Sequence, residues 1–275
     1  MVVSLRGKIP LLAILLAVLS FQAACNVDLF GLFGSTELDT RLESKNRFAF
    51  LSNADRNLSL GETYSFIVLS DTHIEKGDAQ GLEKLKDVIK PQDKFVVITG
   101  DITQNGRRQD VQKFIDIAGT LGVPCYPVIG NHDIYFDNWP VWRDLIGSTR
   151  YRINSDTTTL FILDSANASF GAAQLDWLQD ELRTAKKHVF VFTHANLFVQ
   201  YPGDIEQITD TRERARIMSI LKGRTDAMFA GHVHRRIIRE AGGVGYISIE
   251  DFKSNKTYCR VHVSAGGFRY EFKEL

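Results

Sequence analysis

Val128-Ile129-Gly130-Asn131-His132-Asp133 is a short apolar run that ends in a glycine and then in three side chains able to hold a metal or move a proton. Four other stretches share this shape: Phe66 to His73, Phe95 to Asp101, Val189 to His194 and Ala227 to His234. Each reads as a buried strand followed at once by a polar ligand. Apolar runs of this length, bounded by turn residues, suggest strands covered on both faces. Polar groups at the C-terminal ends of such strands converge on the sheet edge where α/β proteins bind and react. Five strand ends therefore predict one site.

Outward from these runs, strand and helix alternate from Tyr64 onward. Leu82, Leu85, Val88 and Ile89 follow helical spacing, as do Val111, Phe114, Ile115, Ala118 and Leu121; Leu175, Leu178 and Leu182 mark a third helix, and Ile217, Ile220 and Leu221 a fourth. The tail changes rhythm. Ile237-Ile238, Tyr246 to Ile249, Tyr258 to Val263 and Phe268 to Phe272 read as short strands joined by Gly242-Gly243 and Gly266-Gly267 turns, which predicts antiparallel pairing in a second sheet. With 275 residues and 44% apolar content, the chain is long enough for one sizeable α/β domain, placed at residues 63–275. A formal net charge of zero gives no global reason to expect nucleic acid as a partner.

The first 25 residues differ in kind. Arg6 and Lys8 precede the apolar run Leu11 to Leu19, and Ala23-Ala24 lead to Cys25, the layout of an export signal. The run is shorter than the roughly 20 apolar residues of a membrane span. Cys25 after two alanines resembles a bacterial lipoprotein processing site, although Gln22 stands where that pattern prefers leucine. The expectation is a cell-envelope enzyme outside the cytoplasm, anchored to the membrane by a lipid on Cys25, with simple secretion to the periplasm as the alternative. Residues 26–62 read as a spacer, with an early strand around Arg47 to Leu51. Cys125 and Cys259 lie inside apolar strands and read as small core residues rather than a disulfide or a zinc site. His188 and His262 read as ordinary strand residues.

Asp71, His73, Asp101, Asn131, His194, His232 and His234 form a mixed oxygen and nitrogen set suited to manganese, iron or zinc. Seven ligands are too many for one ion; two divalent ions sharing one carboxylate would use them all. Asp71 with His73, and His232 with His234, stand two residues apart, which puts both side chains of each pair on one face of an extended segment. Gly100, Gly130 and Gly231 fit positions where backbone turns sharply beside the ions.

The ordered set D-x-H, G-D, G-N-H-D, a lone H and G-H-x-H resembles the calcineurin-like metallophosphoesterase superfamily, over roughly Tyr64 to the C-terminus. Leu163-Asp164-Ser165 followed by Gln174 to Leu178 is similar to the branch that includes class III cyclic-nucleotide phosphodiesterases. The resemblance implies a four-layer α/β/β/α sandwich of two mixed sheets flanked by helices, with a dimetal site at the strand C-terminal ends. It also implies a hydrolase acting on phosphomonoesters or phosphodiesters. Carried over, it puts Asp71, His73 and His234 on one metal and Asn131, His194 and His232 on the other, with Asp101 bridging. His132 would face the substrate as general acid to a metal-bridged hydroxide, with Asp133 orienting it.

A nuclease is disfavoured by the neutral charge and the export signal. A binding or scaffold protein on the same fold would be expected to have lost ligands that are all present here. Tyr135, Trp139 and Trp142 fit either a substrate pocket or core. Specificity falls to the loops Ile134 to Tyr151 and Asn196 to Asp210, which leave a nucleotide, a phospholipid head group and a sugar phosphate all open as substrates.

Overall fold

The computed structural model describes residues 36–43, 47–198 and 207–275. Its strands, in chain order, are β1 (Tyr64–Leu69), β2 (Asp93–Ile98), β3 (Cys125–Pro127), β4 (Tyr151–Asn154), β5 (Thr158–Ile162), β6 (His188–Phe192), β7 (Ala227–Ala230), β8 (Ile237–Ala241), β9 (Val244–Ser248), β10 (Thr257–Ser264) and β11 (Gly267–Glu274). The helices are α1 (Glu37–Glu43), α2 (Arg108–Ala118), α3 (Trp139–Leu145), α4 (Ala172–Glu181), α5 (Thr211–Leu221) and α6 (Phe252–Asn255).

Side-chain alternation along β1, buried throughout, sets the layering. Tyr64, Phe66 and Val68 enter one core, Ile67 and Leu69 another. The first sheet runs β11-β10-β1-β2-β3 and the second β4-β5-β6-β7-β9-β8. Both are mixed: β1, β2 and β3 are parallel to one another and β10 antiparallel to β1, while β5, β6, β7 and β9 are parallel and the edge strands β4 and β8 antiparallel.

Between the sheets the core is aromatic. Phe66 stacks on Phe95 at 4.6 Å and Phe192 on Phe229 at 5.5 Å, and such pairs add about 0.5–1.5 kcal/mol each beyond area burial. On the outer face of the first sheet, Val111, Phe114 and Ile117 of α2 and Trp142 of α3 cover Ile67, Leu69, Val96 and Ile98. On the second, Leu175 and Leu178 of α4 and Ile217 and Leu221 of α5 cover Phe161, Val189, Val191 and Met228. The result is the expected four-layer α/β/β/α sandwich.

The tail departs from expectation. β8 and β9 do form a hairpin in the second sheet, but β10 and β11 cross back to the first, where β10 pairs with β1 from Tyr64–Val263 to Val68–Cys259. Hairpin chemistry fixes which neighbours pair, not which sheet they join, and β1 had an edge to fill. The periodic stretch from Leu82 forms a 3-10 helix over Leu82–Asp87. The strand read around Arg47 to Leu51 is a single bridge from Phe48 to Gly147. The β4–β5 hairpin and α3 carried no sequence reading.

Residues 36–43 and 47–62, read as spacer, lie against the domain. Leu38, Leu42, Leu51 and Leu60 are buried. Arg41 is buried too, its guanidinium donating to Asp164 through Nε (2.8 Å) and Nη2 (3.0 Å) and to Asn167 Oδ1 (2.5 Å). The signal segment 1–25 with Cys25, and Leu29 to Phe33, lie outside the described residues. Among the described residues no helix is long and apolar enough to cross a membrane. Cys125 and Cys259 are buried free thiols.

Candidate metal centre

The segments leaving β1, β2, β3, β6 and β7 bring Asp71, His73, Asp101, Asn131, His194, His232 and His234 to one sheet edge. Asp71, His73 and His234 form one cluster, and Asp101, His194 and His232 another; His73, Asp101 and His132 form a third between them, the ligand atoms within each lying within 4.8 Å of one another. Asn131 Oδ1 stands 2.9 Å from His194 Nε2.

Backbone conformation is part of this convergence. Asp71, His73, Asp101, His232 and His234 all have φ between 45° and 69°. That left-handed region costs a non-glycine residue on the order of 1–3 kcal/mol, a strain typical of active sites. Gly100, at φ 96°, is where the chain turns sharply, and a methyl there would strike His194. Gly130 and Gly231 serve differently. A Cβ at Gly130 would collide with Asp101 Oδ1 and the Asp101 backbone nitrogen, and one at Gly231 with Ser70 Oγ, Asp71 Oδ2 and the Thr99 carbonyl, so these glycines make room for the carboxylates and for neighbouring backbone.

The electrostatics show what the cluster can hold. Against the pull of burial, the hydrogen bond from His234 keeps Asp71 below the usual carboxylate range, and His194 does the same for Asp101. Burial pushes His73 and His232 down to about 4, so both imidazoles are neutral at pH 7. Burial also works to lower His194, but the Asp101 carboxylate outweighs it and raises the group to about 9. The reason is geometric. His194 Nδ1–H donates to Thr99 O at 2.9 Å, and Nε2 faces two oxygens, Asn131 Oδ1 and Asp101 Oδ1 at 3.3 Å, so a proton or a metal ion must sit between them. Likewise His73 Nε2 and His234 Nε2 face each other at 3.5 Å, with Asp71 Oδ1 3.2 Å from the latter. Imidazole lone pairs aimed at each other and at buried carboxylates form a donor set that divalent cations fit.

The cluster reaches solvent through the rings of His132, His232 and His234. His234 is 47% and His132 22% exposed and His232 is partly exposed, against 4% or less for His73, Asp71, Asp101 and His194, so a substrate approaches on the side of these three rings. His132 Nδ1–H donates to Gln104 O at 2.9 Å, leaving Nε2 to face the open side, 3.9 Å from Asp101 Oδ2. Asp133, expected to orient His132, makes no bond to its ring. Its carboxylate accepts from the Ile102, Thr103 and Gly130 N–H groups and from Thr103 Oγ1, tying the Asp101 and Asn131 loops together. Burial still pushes this carboxyl up to about 7.

Gln104 carried no sequence signal, and Tyr135 and Ser165, noted in the sequence, support the site in ways their motifs did not specify. Gln104 holds His132 and also accepts from Lys253 Nζ at 3.3 Å. Tyr135 Oη accepts from Asn131 Nδ2 at 2.8 Å, which turns Oδ1 toward His194, and its ring lies 4.3 Å from that of His132. Ser165 Oγ accepts the His194 and Ala195 N–H groups. Trp142 is core.

The profile of the calcineurin-like phosphoesterases matches residues 64–236. The chain belongs to this family. Its relatives include a protein of Arcobacter nitrofigilis named as a probable glycerophosphodiester phosphodiesterase, 27% identical over 62% of this chain and 71% of its own length. Another, from Fibrobacter succinogenes, is named as a probable cyclic nucleotide phosphodiesterase, at 24% identity over 60% of this chain and 71% of the relative. A dimetal phosphatase from Danio rerio shares the fold, with a TM-score of 0.59 at 14% identity, over 78% of this chain and 96% of that one. As a calcineurin-like phosphoesterase, the chain is a hydrolase acting on ester bonds, and its Asp/His clusters are able to bind metal.

Proposed function

We propose that this phosphoesterase hydrolyses a small phosphodiester with two divalent ions, manganese, iron or zinc. Asp71, His73 and His234 would hold one ion, Asn131, His194 and His232 the other, and Asp101 both. The observation that carries the reading is the chain of imidazole–carboxylate clusters linked through His73 and Asp101, with His132, His232 and His234 reaching solvent beside them. When bound, such ions supply Lewis-acid charge for the phosphoryl oxygens and a water acidified toward neutral pH. The protein's own groups do the rest. Gln104 O fixes the His132 ring through Nδ1, so that protonated Nε2 donates to the leaving oxygen, a contribution of about 10²–10⁴-fold. Asp133 keeps the two ligand loops in register. The organic part of the leaving group would lie along Tyr135 and Phe136, the latter 79% exposed. The names of the two bacterial relatives favour a diester over a monoester.

The test compares bis-p-nitrophenyl phosphate with p-nitrophenyl phosphate after chelation and readdition of each metal. Metal-restored turnover favouring the diester is expected, and His132→Asn should lose about 10²–10⁴-fold while keeping its metal content. A folded, metal-loaded protein that cleaves neither ester, or a His132→Asn variant with normal turnover, overturns the reading. We also infer that the enzyme works in the cell envelope, tethered by a lipid on Cys25. Cys25→Ala should release it from membranes, and a variant still membrane-bound and processed as before refutes the tether.

A further inference from the structure

A cleft of about 450 Å³ lies beside the second sheet, between its edge strand β4, helix α4 and the segment around residues 48–57. Phe48, Arg56, Arg150, Arg152, Trp177 and Glu181 carry its chemistry, and no member of the Asp/His clusters lines it. Arg152 is fully employed: it pairs with Glu181 Oε2 at 2.6 Å and donates to Asn154 Oδ1, Thr184 Oγ1 and Thr184 O. The other two guanidinium groups are not. Half-buried Arg150 lies 4.8 Å from the Trp177 ring centre and, among the described residues, makes no hydrogen bond or ion pair. Arg56 lies 4.5 Å from the Phe48 ring centre; an amino group reaches Asn53, while its Nε is buried with no acceptor.

A guanidinium whose face rests on an aromatic ring keeps its rim of N–H donors for planar or tetrahedral oxyanions. Three arginines share the single carboxylate of the lining, Glu181, which pairs with Arg152 and also acts on Arg150, so the lining keeps a surplus of two positive charges. Two fork-shaped donors and two surplus charges match a dianion with several oxygens better than a single carboxylate. The aromatic walls would exclude water on either side, and the volume admits more than a bare oxyanion. We propose that this cleft is a second anion site, separate from the metal centre, that takes a phosphate-monoester dianion, free or presented by a lipid head group, between Arg56 and Arg150.

The test uses the full chain with its metals bound and compares it with Arg150→Met and Arg56→Met, which keep an unbranched side chain against the ring but remove the charge. Inorganic phosphate and glycerol 3-phosphate are titrated by calorimetry. Binding at the metal centre is common to all three proteins and cancels in the comparison. The expected result is a second binding event in the parent chain, weakened at least ten-fold in each variant, with melting temperature and ester hydrolysis unchanged. Vesicles of phosphatidylcholine with and without phosphatidic acid form the second arm: variant-sensitive retention on phosphatidic acid, without binding of the soluble phosphates, would assign the site to a lipid head group. Identical titrations in parent and variants, together with identical vesicle retention, overturn the proposal. Should one variant fail to fold, the other decides.

Discussion

Replacing Arg41 with methionine tests whether the segment before β1 is structurally part of the enzyme. Arg41 and Asp164 are 1% and 0% exposed, and the guanidinium supplies two hydrogen bonds to that carboxylate and one to Asn167. Arg41→Met leaves Asp164 buried without its counter-ion. Breaking a buried pair from one side costs about 3–5 kcal/mol. At about 2–4 °C per kcal/mol for a chain of this size, the melting midpoint should fall by roughly 6–20 °C. Circular dichroism melting of the metal-loaded protein at pH 7 reads this directly. Asp164→Asn added to Arg41→Met should recover most of the loss, because it removes the buried charge and keeps an acceptor for the Ala166 N–H that Asp164 Oδ1 now receives. A chain begun at residue 63 should melt at least as low as Arg41→Met. A single variant melting within about 2 °C of the parent would refute the reasoning, since it would mean that Asp164 is stable alone in the core.

Three further outcomes follow. Gly130→Ala, by driving a methyl against the Asp101 carboxylate and backbone nitrogen, should displace that loop and weaken metal affinity about 10–100-fold, as read by metal titration; unchanged affinity would show that the Asp101 loop has room to move. In the chelated protein, His194 has a folded pKa of about 9 against an ordinary value of 6.5, so its stabilisation is complete below pH 6.5 and lost as pH rises through 9. Melting temperature should fall across that window without metal and stay level with metal restored; a fall of equal size in both states counts against the proton and the metal sharing one place. Phe136→Ala should raise KM about 2- to 12-fold (0.5–1.5 kcal/mol) for an aryl or nucleoside diester and leave a dimethyl phosphate diester unaffected, whereas equal effects on both would remove Phe136 from substrate contact.

The strand-end pattern made much of this site legible. Each of the five runs is buried from end to end, so its first polar residue falls at or within a few residues of the strand's end, and parallel strands stop at one edge. Periodicity carries no such information about the tail, because β10 reaches β1 across nearly the whole domain and only sheet topology selects that partner. Arg41 was illegible for another reason: a lone arginine among polar residues reads as solvated, and only the distant Asp164 makes its burial tolerable. The roles of Gln104, Tyr135 and Ser165 depend on hydrogen bonds between loops, which no spacing rule encodes. Phe136 follows an unremarkable Ile-Tyr pair, yet a backbone φ of 57° turns it outward.

The return of β10 to β1 governs the order in which the enzyme can be made. β1 emerges early from the ribosome, yet one of its edges stays open until Thr257–Ser264 has been synthesised. Long-range pairings of this kind are slow to form and leave a sticky strand exposed meanwhile. The ligands follow the same schedule, since Asp71 is among the first residues of the cluster to be made and His232 and His234 the last. A nascent chain therefore carries an incomplete metal site until His234 has been made, and loading with metal belongs to the protein that has passed that point.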